Sequence, residues 1–211
     1  MLIGIIGHGK VARTLGKLWV DLGHEVYFGV KMPTDPAISE LLEYCGGHTG
    51  ALSVRELFSY VDLVLLAVRW HDIESVITQA SDLNGKILID CTTPLHKNTR
   101  QPILDWSLTS GAERLAAMAP GASVVKCFDT TGVSVFYEPL FQGTPATMFL
   151  AGDDKNAKGL VRALAEELGF ECVDAGPLIA SRHLEAMSAF WVFLAYDQDF
   201  GRNFAFKILK R

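Results

Sequence analysis

The stretch Leu2-Ile3-Gly4-Ile5-Ile6-Gly7-His8-Gly9-Lys10-Val11-Ala12 decides the architecture of the first part of the chain. Residues 2–6 form a short continuous apolar run, as expected of a parallel strand buried on both faces. The run breaks at Gly7-His8-Gly9-Lys10-Val11-Ala12, a G-x-G-x-x-A turn. Beyond it Val11, Leu15, Leu18, Trp19 and Leu22 recur at helical spacing, and Gly23 ends the helix. Strand, glycine turn and helix in that order give the spacing its meaning as a dinucleotide fingerprint. Gly7 permits the tight turn, Gly9 lets a pyrophosphate approach the backbone, and Ala12 allows close packing of helix on strand. The helix N-terminus adds free N–H groups and a partial positive charge for the phosphates.

Cofactor choice is read at the end of the second strand, expected over residues 25–30. An acid there would accept a hydrogen bond from the ribose 2′-hydroxyl of NAD. This chain has Val30-Lys31 and no acid before Asp35. Lys31 suits a 2′-phosphate, and Lys10 adds positive charge nearby. The expectation is NADP rather than NAD.

The alternation continues along the chain. Helices are expected over 37–44, stopped by Gly46-Gly47, and over 53–59, where Ser53-Val-Arg-Glu has the capping-box pattern. A strand at 62–68, a helix at 72–80 and a strand at 86–90 follow, then a loop to about Pro102. A short helix at 112–118 precedes strands at 122–128 and 146–151. A helix at 154–168, a strand at 170–175 and a long helical segment from Leu178 to about Tyr196 complete the pattern. Such alternation implies an α/β fold, a Rossmann-like, doubly wound and mainly parallel sheet. Residues 1–175 are expected to form the nucleotide-binding domain and 176–211 a helical extension.

The 211 residues carry 19 basic and 24 acidic side chains, a formal charge of −5, which argues against non-specific nucleic-acid binding. The longest apolar runs, 63–68 and 189–196, fall short of the roughly 20 residues that cross a bilayer, so no membrane association is expected. Cys45, Cys91, Cys127 and Cys172 are isolated, with no CxxC and no metal-ligand spacing. Reduced thiols, the lack of a leader pattern at the start and a cytoplasmic location are the corresponding expectations.

Several segments together resemble one family. They are Ile3-Gly-Ile-Ile-Gly-His-Gly, Ala67-Val-Arg-Trp, Asp90-Cys-Thr-Thr-Pro-Leu, Val125-Lys-Cys-Phe-Asp-Thr-Thr-Gly, Ala151-Gly-Asp-Asp and the long Asp174-Ala-Gly-Pro-Leu-Ile-Ala-Ser-Arg-His-Leu-Glu. The set resembles the coenzyme F420-dependent NADP oxidoreductases, and is similar to the oxidoreductase domain of the six-transmembrane metalloreductases. The resemblance implies hydride transfer between NADP(H) and a deazaflavin (F420) or flavin co-substrate. It places Gly7, His8, Gly9, Lys10, Val11 and Ala12 at the pyrophosphate and Val30 and Lys31 at the 2′-phosphate. Ala67, Val68 and Arg69 would follow at the nicotinamide end, with Trp70 at the substrate. The substrate ring would lie near Thr93-Pro94 and Phe128, Asp129 and Thr130, closed by Leu178 and its neighbours.

The chain departs from the family pattern at four places. Val30-Lys31 stands for Ser-Arg, which keeps the charge and loses a planar fork. Arg69 replaces a proline, Thr93 an asparagine and Asp129 another asparagine. The last three fall at strand ends, where open α/β sheets bind ligands. A new Arg and a new Asp there either pair with each other or select a different substrate.

Hydride transfer needs no nucleophile from the protein, only two rings held together and shielded from water. No catalytic side chain and no metal are therefore assigned. His8 between the glycines faces the phosphates or the nicotinamide ribose, whereas His71 reads as a surface residue. The competing expectations are a non-catalytic, regulatory NADP-binding protein and a reductase of another small molecule. The apolar helix after Leu178 carries more hydrophobic surface than one exposed face accounts for. A homodimer is the expected assembly.

Overall fold

A computed structural model describes all residues from Met1 to Arg211. The first strand, β1 (Leu2–Ile6), is followed by α1 (Lys10–Asp21), β2 (Glu25–Val30), α2 (Pro36–Cys45) and β3 (Thr49–Ser53). Next come α3 (Val54–Tyr60), β4 (Leu63–Leu66), a one-turn helix over Trp70–Asp72, α4 (Ile73–Ile77) and β5 (Ile87–Asp90). A long loop leads to α5 (Gly111–Met118), β6 (Ser123–Lys126) and α6 (Val133–Tyr137). The hairpin β7 (Leu140–Phe141) and β8 (Thr144–Pro145) then leads to β9 (Thr147–Gly152). The chain finishes with α7 (Lys155–Glu167), β10 (Glu171–Asp174) and α8 (Ser181–Asp197), after which residues 198–211 carry no regular structure.

Eight strands form one sheet in the order β10-β9-β6-β5-β4-β1-β2-β3. The six from β6 to β3 pair in parallel, as do β9 and β10 with each other. The seam between the blocks is antiparallel and short, joining only Val125 to Gly152 and Lys126 to Ala151. The sheet is thus mainly parallel, Rossmann-like and covered on both faces.

Each face has its own core. On one side α1, α2, α6 and α7 pack on the strands through Leu15, Trp19, Leu41, Phe136 and Val161. On the other, α3, α4 and α5 contribute Leu57, Phe58, Val76 and Leu115. Burying one such aliphatic or aromatic side chain stabilises by about 1.5–3 kcal/mol, which is why the apolar stripe of each helix fixes its docking face. The capping boxes at Ser53 and Ser110 start α3 and α5, each with the serine hydroxyl accepting from the N3 amide.

The β9 end is covered differently. Leu184 and Met187 of α8 pack over Phe149 and Ala151, together with Phe206 and Ile208 of the terminal segment. That segment doubles back along α8. Trp191 donates its Nε1–H to the Phe204 carbonyl at 3.1 Å and stacks on the Phe204 ring, centroids 5.1 Å apart. The Thr147 amide donates to the Phe206 carbonyl at 2.9 Å. The last 14 residues are therefore an extended strap rather than a continuation of the helix.

Candidate functional site

The β1–α1 turn is shaped by sterics. Gly7 has φ +116°, and a β-carbon on it would lie 2.5 Å from the Ala67 carbonyl oxygen. No other residue fits both the angle and the contact. Gly9 caps α1 in an extended conformation, and nothing lies within 4 Å of where its β-carbon would be. No side chain caps the helix and no acid sits in its first turn, so its leading N–H groups point into open space. This is the arrangement a pyrophosphate requires, and the turn fits the cofactor on its geometry alone.

A cleft of about 700 Å³ runs from this turn across the C-terminal ends of β1, β2 and β4. Gly7, His8, Gly9, Lys10 and Val11 line it at one edge, Val30 and Lys31 at another, and Ala67, Val68 and Arg69 at the far end. Ala12 is fully buried beneath the turn and lines nothing. Asp35 also reaches the cleft, but its carboxylate accepts a 2.9 Å hydrogen bond from the Ala37 amide and caps α2. Lys31 has no ion-pair partner and is exposed. The β2 end of the cleft thus offers a free cation and an acid already engaged by a helix.

A second cavity of about 320 Å³ adjoins the first and shares Val68 and Arg69 with it. Trp70, Cys91, Thr92 and Thr93 form its wall. Pro94 lies behind them, where a β-carbon on Gly111 would be 2.8 Å from Pro94 Cγ, 3.1 Å from the Trp70 ring and 3.1 Å from Glu185 Oε1. Gly111 is needed there because α5 begins directly against this wall.

The remaining residues expected at the substrate lie deeper. Phe128, at φ +65°, turns its ring into the core edge-on to Trp19 and Phe136, at 5.8 and 6.1 Å. Phe128, Asp129, Thr130 and Leu178 are all buried and line neither cavity. Arg69 forms no pair with Asp129, whose nearest cation is Lys126 at 3.8 Å.

Lys126 and Glu185 carry structure that sequence inspection passed over. Lys126, Asp90, Asp129 and Glu185 all have fully buried side chains. The Lys126 ammonium lies 3.1 Å from Asp90 Oδ2 and 3.1 Å from Glu185 Oε1, and it donates to the Thr92 carbonyl. Glu185 in turn accepts from the Gly111 and Ala112 amides at the start of α5, at 2.9 and 3.1 Å, and from Trp106 Nε1 at 2.8 Å. Burial opposes the Lys126 charge, but the three carboxylates outweigh it and raise the ammonium above the ordinary lysine value.

Asp129 is the member left without hydrogen bonds, both carboxyl oxygens being buried and unpartnered. Burial pushes its carboxyl up to about 7; Lys126 opposes the shift, while Glu185 and Asp90 reinforce it. The cluster binds β5, β6, α5 and α8 into one unit directly behind the second cavity. A charge interrupting the apolar run Val124-Val125-Lys126-Cys127 was the available signal for it.

No group of three or more His, Cys, Asp or Glu residues is placed to hold a metal ion, and no helix is long and apolar enough to cross a membrane.

Comparison with known proteins agrees with this geometry. Residues 2–94 match the family model described as NADP oxidoreductase, coenzyme F420-dependent. Metalloreductase STEAP3 of Rattus norvegicus is 29% identical over 188 residues, covering 88% of this chain and 36% of the relative. The chain thus spans about a third of the length of the curated relatives it matches. Among solved structures, a protein of Arthrobacter sp. FB24, provisionally named an F420-dependent NADP-reductase, superposes with a TM-score of 0.88 at 28% identity, over 99% of both chains. The hypothetical protein SMa0349 of Sinorhizobium meliloti gives 0.76 at 28% identity, over 86% of this chain and 87% of its own. Over residues 2–94, a little under half of its length, the chain is similar to the coenzyme F420-dependent NADP oxidoreductases.

Proposed function

We propose that this chain binds NADP(H) along the first cleft and passes hydride between the nicotinamide and a deazaflavin (F420) or flavin-type ring. The observation that carries this is the continuity of the two cavities. A cofactor with its pyrophosphate on the α1 turn and its 2′-phosphate at Lys31 ends at Ala67–Arg69, where the second cavity begins. When bound, NADPH supplies the hydride. The protein supplies position: Gly7, Gly9 and the α1 amides fix the phosphates, and Val68 and Arg69 mark the junction of the two rings. Trp70 and Thr93 border the acceptor. His8, exposed between the glycines, faces the same cleft. Lys126 and its carboxylates hold the acceptor wall rigid from behind.

Oxidation of NADPH followed optically with F420, FMN, FAD and a ferric chelate as acceptors tests the proposal. Turnover with a ring acceptor supports it, and tight NADPH binding with no turnover by any acceptor contradicts it. That second result would favour a nucleotide-binding regulatory protein, a reading supported by the closure of the β5–β6 strand ends under α8. Reduction of another small molecule at the same junction is the remaining reading, consistent with Arg69 standing where the family has proline.

The assembly we propose is a homodimer through the α8 side. Ile179, Phe190 and Phe193 are half-exposed there and Phe200 more so, an apolar surface suited to a second copy. Light scattering giving the mass of a single chain would contradict it.

A further inference from the structure

The long loop between β5 and α5 raises a hairpin-like finger, residues 95–103, beside the second cavity. A bridge joins Leu95 to Pro102, and the His96 amide donates to the Gln101 carbonyl at 2.8 Å. The Arg100 amide donates to the His96 carbonyl, also at 2.8 Å, so the finger is closed on itself as one unit. Leu95, His96, Lys97 and Arg100 line the second cavity, and no residue of the finger lines the cofactor cleft. One side of the second cavity is therefore built from this unit alone.

The finger and its base are attached in different ways. At the base Pro94 and Leu104 are buried, Thr93 Oγ1 lies 2.6 Å from Ser188 Oγ of α8, and Trp106 Nε1 donates to Glu185. Beyond the base, His96 to Ile103 are all exposed and none joins a hydrophobic core. A single ion pair ties the finger to another element, that of Arg100 with Asp197 at the end of α8. The Arg100 guanidinium also lies over the Tyr196 ring, 5.5 Å from its centroid, and Arg202 of the terminal strap lies over the same ring at 4.6 Å. A cation is favoured there, because the last carbonyls of α8 and the Asp197 carboxylate are both negative. The attachment is still weak. Its two charged side chains are 40% and 29% exposed, so water and salt screen the pair. Arg100 also holds a left-handed φ of +55°, which disfavours a residue with a side chain.

We propose that residues 95–103 form a lid on the second cavity, hinged at Pro94 and Leu104 and latched by Arg100 to Tyr196 and Asp197. Opening the lid exposes the wall of Cys91, Thr92 and Thr93 and leaves the cofactor cleft as it stands. The lid's role in passing a ring acceptor in and out rests on the proposed function, whereas the lid and its latch do not. The latch lies where α8 meets the terminal strap, so Arg202 of the strap bears on the same ring against which the lid closes.

Cys91 reports the position of the lid, because it lines the cavity that the finger closes. Its thiol donates to the Leu66 carbonyl at 3.3 Å, and burial raises it above the ordinary cysteine value, so alkylation is slow while the lid is shut. The full chain is treated with iodoacetamide at one pH and labelling is read peptide by peptide, with the half-buried Cys172 of β10 as reference. Arg100→Gln and Asp197→Asn are each expected to speed Cys91 labelling by about threefold, the scale of one exposed ion pair, and to leave Cys172 unchanged. Arg100→Lys, which keeps the cation, is expected to stay close to the unaltered rate. Raised salt is expected to speed labelling in the unaltered chain and to do little in the Gln and Asn variants. Stopped-flow fluorescence with riboflavin, an uncharged ring, then follows exchange at the chain saturated with NADP+. Association and dissociation are both expected to be about threefold faster in the same two variants.

Faster labelling of Cys91 alone, in the latch variants and at high salt, supports the lid. Cys91 rates that ignore the latch, or that rise together with those of Cys172, overturn it. Faster labelling with riboflavin exchange at an unchanged rate overturns the gating role. Faster labelling with no riboflavin binding and no NADPH oxidation by any acceptor would leave the lid standing and contradict the hydride-transfer proposal. Turnover of a ring acceptor beside latch-insensitive Cys91 labelling would do the reverse.

Discussion

The C-terminal edge of the sheet is built in two opposite ways. At β1, β2 and β4 it is open, with glycine at the points of close approach, uncapped amides at α1, and Lys10 and Lys31 exposed without partners. At β5 and β6 it is closed by α8, and its charges are internal, with Lys126 held among Asp90, Asp129 and Glu185 in full burial. The first half leaves its hydrogen-bonding capacity unsatisfied in the protein alone, as a ligand-binding surface must. The second half instead pairs Lys126 with its own buried carboxylates and so forms a wall braced from within. Asp129 is the charged group left without hydrogen bonds there, and the Thr92, Thr130, Thr131 and Ser181 hydroxyls are buried and unpartnered as well.

Removing Lys126 attacks the closed half and carries the largest expected effect. Lys126→Met leaves three buried carboxylates without their cation, and stability is expected to fall by about 3–5 kcal/mol. Chemical denaturation would register this as a lowered midpoint. A midpoint close to that of the unaltered chain would show that the cluster is not the internal brace described here.

Gly7→Ala attacks the open half. Its β-carbon meets the Ala67 carbonyl in a backbone region that disfavours side chains, a strain of about 1–3 kcal/mol. The variant is expected to fold less stably and to lose the rise in melting temperature expected on adding NADP+ to the unaltered chain. Retention of the full NADP+-induced rise would mean that the pyrophosphate lies elsewhere.

Asp129→Asn probes the exception through pH. The folded-state pKa of about 7 lies above the ordinary aspartate value, so between about pH 4 and 7 the folded chain holds a proton that the unfolded chain has released. Its contribution is therefore present at low pH and lost as pH rises through about 7. Asn keeps the neutral shape at every pH. The variant is expected to gain on the unaltered chain as pH rises, by about 1–3 kcal/mol at pH 8. Parallel stability curves for the two proteins from pH 5 to 8 would contradict the assignment.

The two halves also differed in how much of them could be read from the sequence. β1, β2 and the start of α1 fall where periodicity and the glycine turn place them, because local patterning and turn chemistry there agree with the tertiary structure. β3 is absent from the expected strands: its Thr-Gly-Ala-Leu-Ser stretch is an edge strand, half-buried throughout, and lacks an apolar run. The direction of β9 and β10 was not legible either, since alternation reads the same whichever way a strand runs. It follows from the connection through α6 and the β7–β8 hairpin, elements too short to carry a periodic signal. The expected helix at 72–80 is a single turn followed by α4, which stops at Ile77.

In the site, the α1 turn and Lys31 stood out because each lies beside its own strand. Lys126 and Glu185 come together across 59 positions of sequence, and Lys97 reaches the second cavity from an irregular loop. Convergence of that kind is a property of topology, with no local pattern to announce it.

The central claim is that the open half is an NADP site selected by Lys31, and it is tested most directly by calorimetric titration of the full chain with NADP+ and NAD+. NADP+ is expected to bind about tenfold or more tighter, the gain of one charge-assisted contact to the 2′-phosphate, and Lys31→Glu to abolish the preference. Equal affinities, or tighter binding of NAD+, would contradict the account.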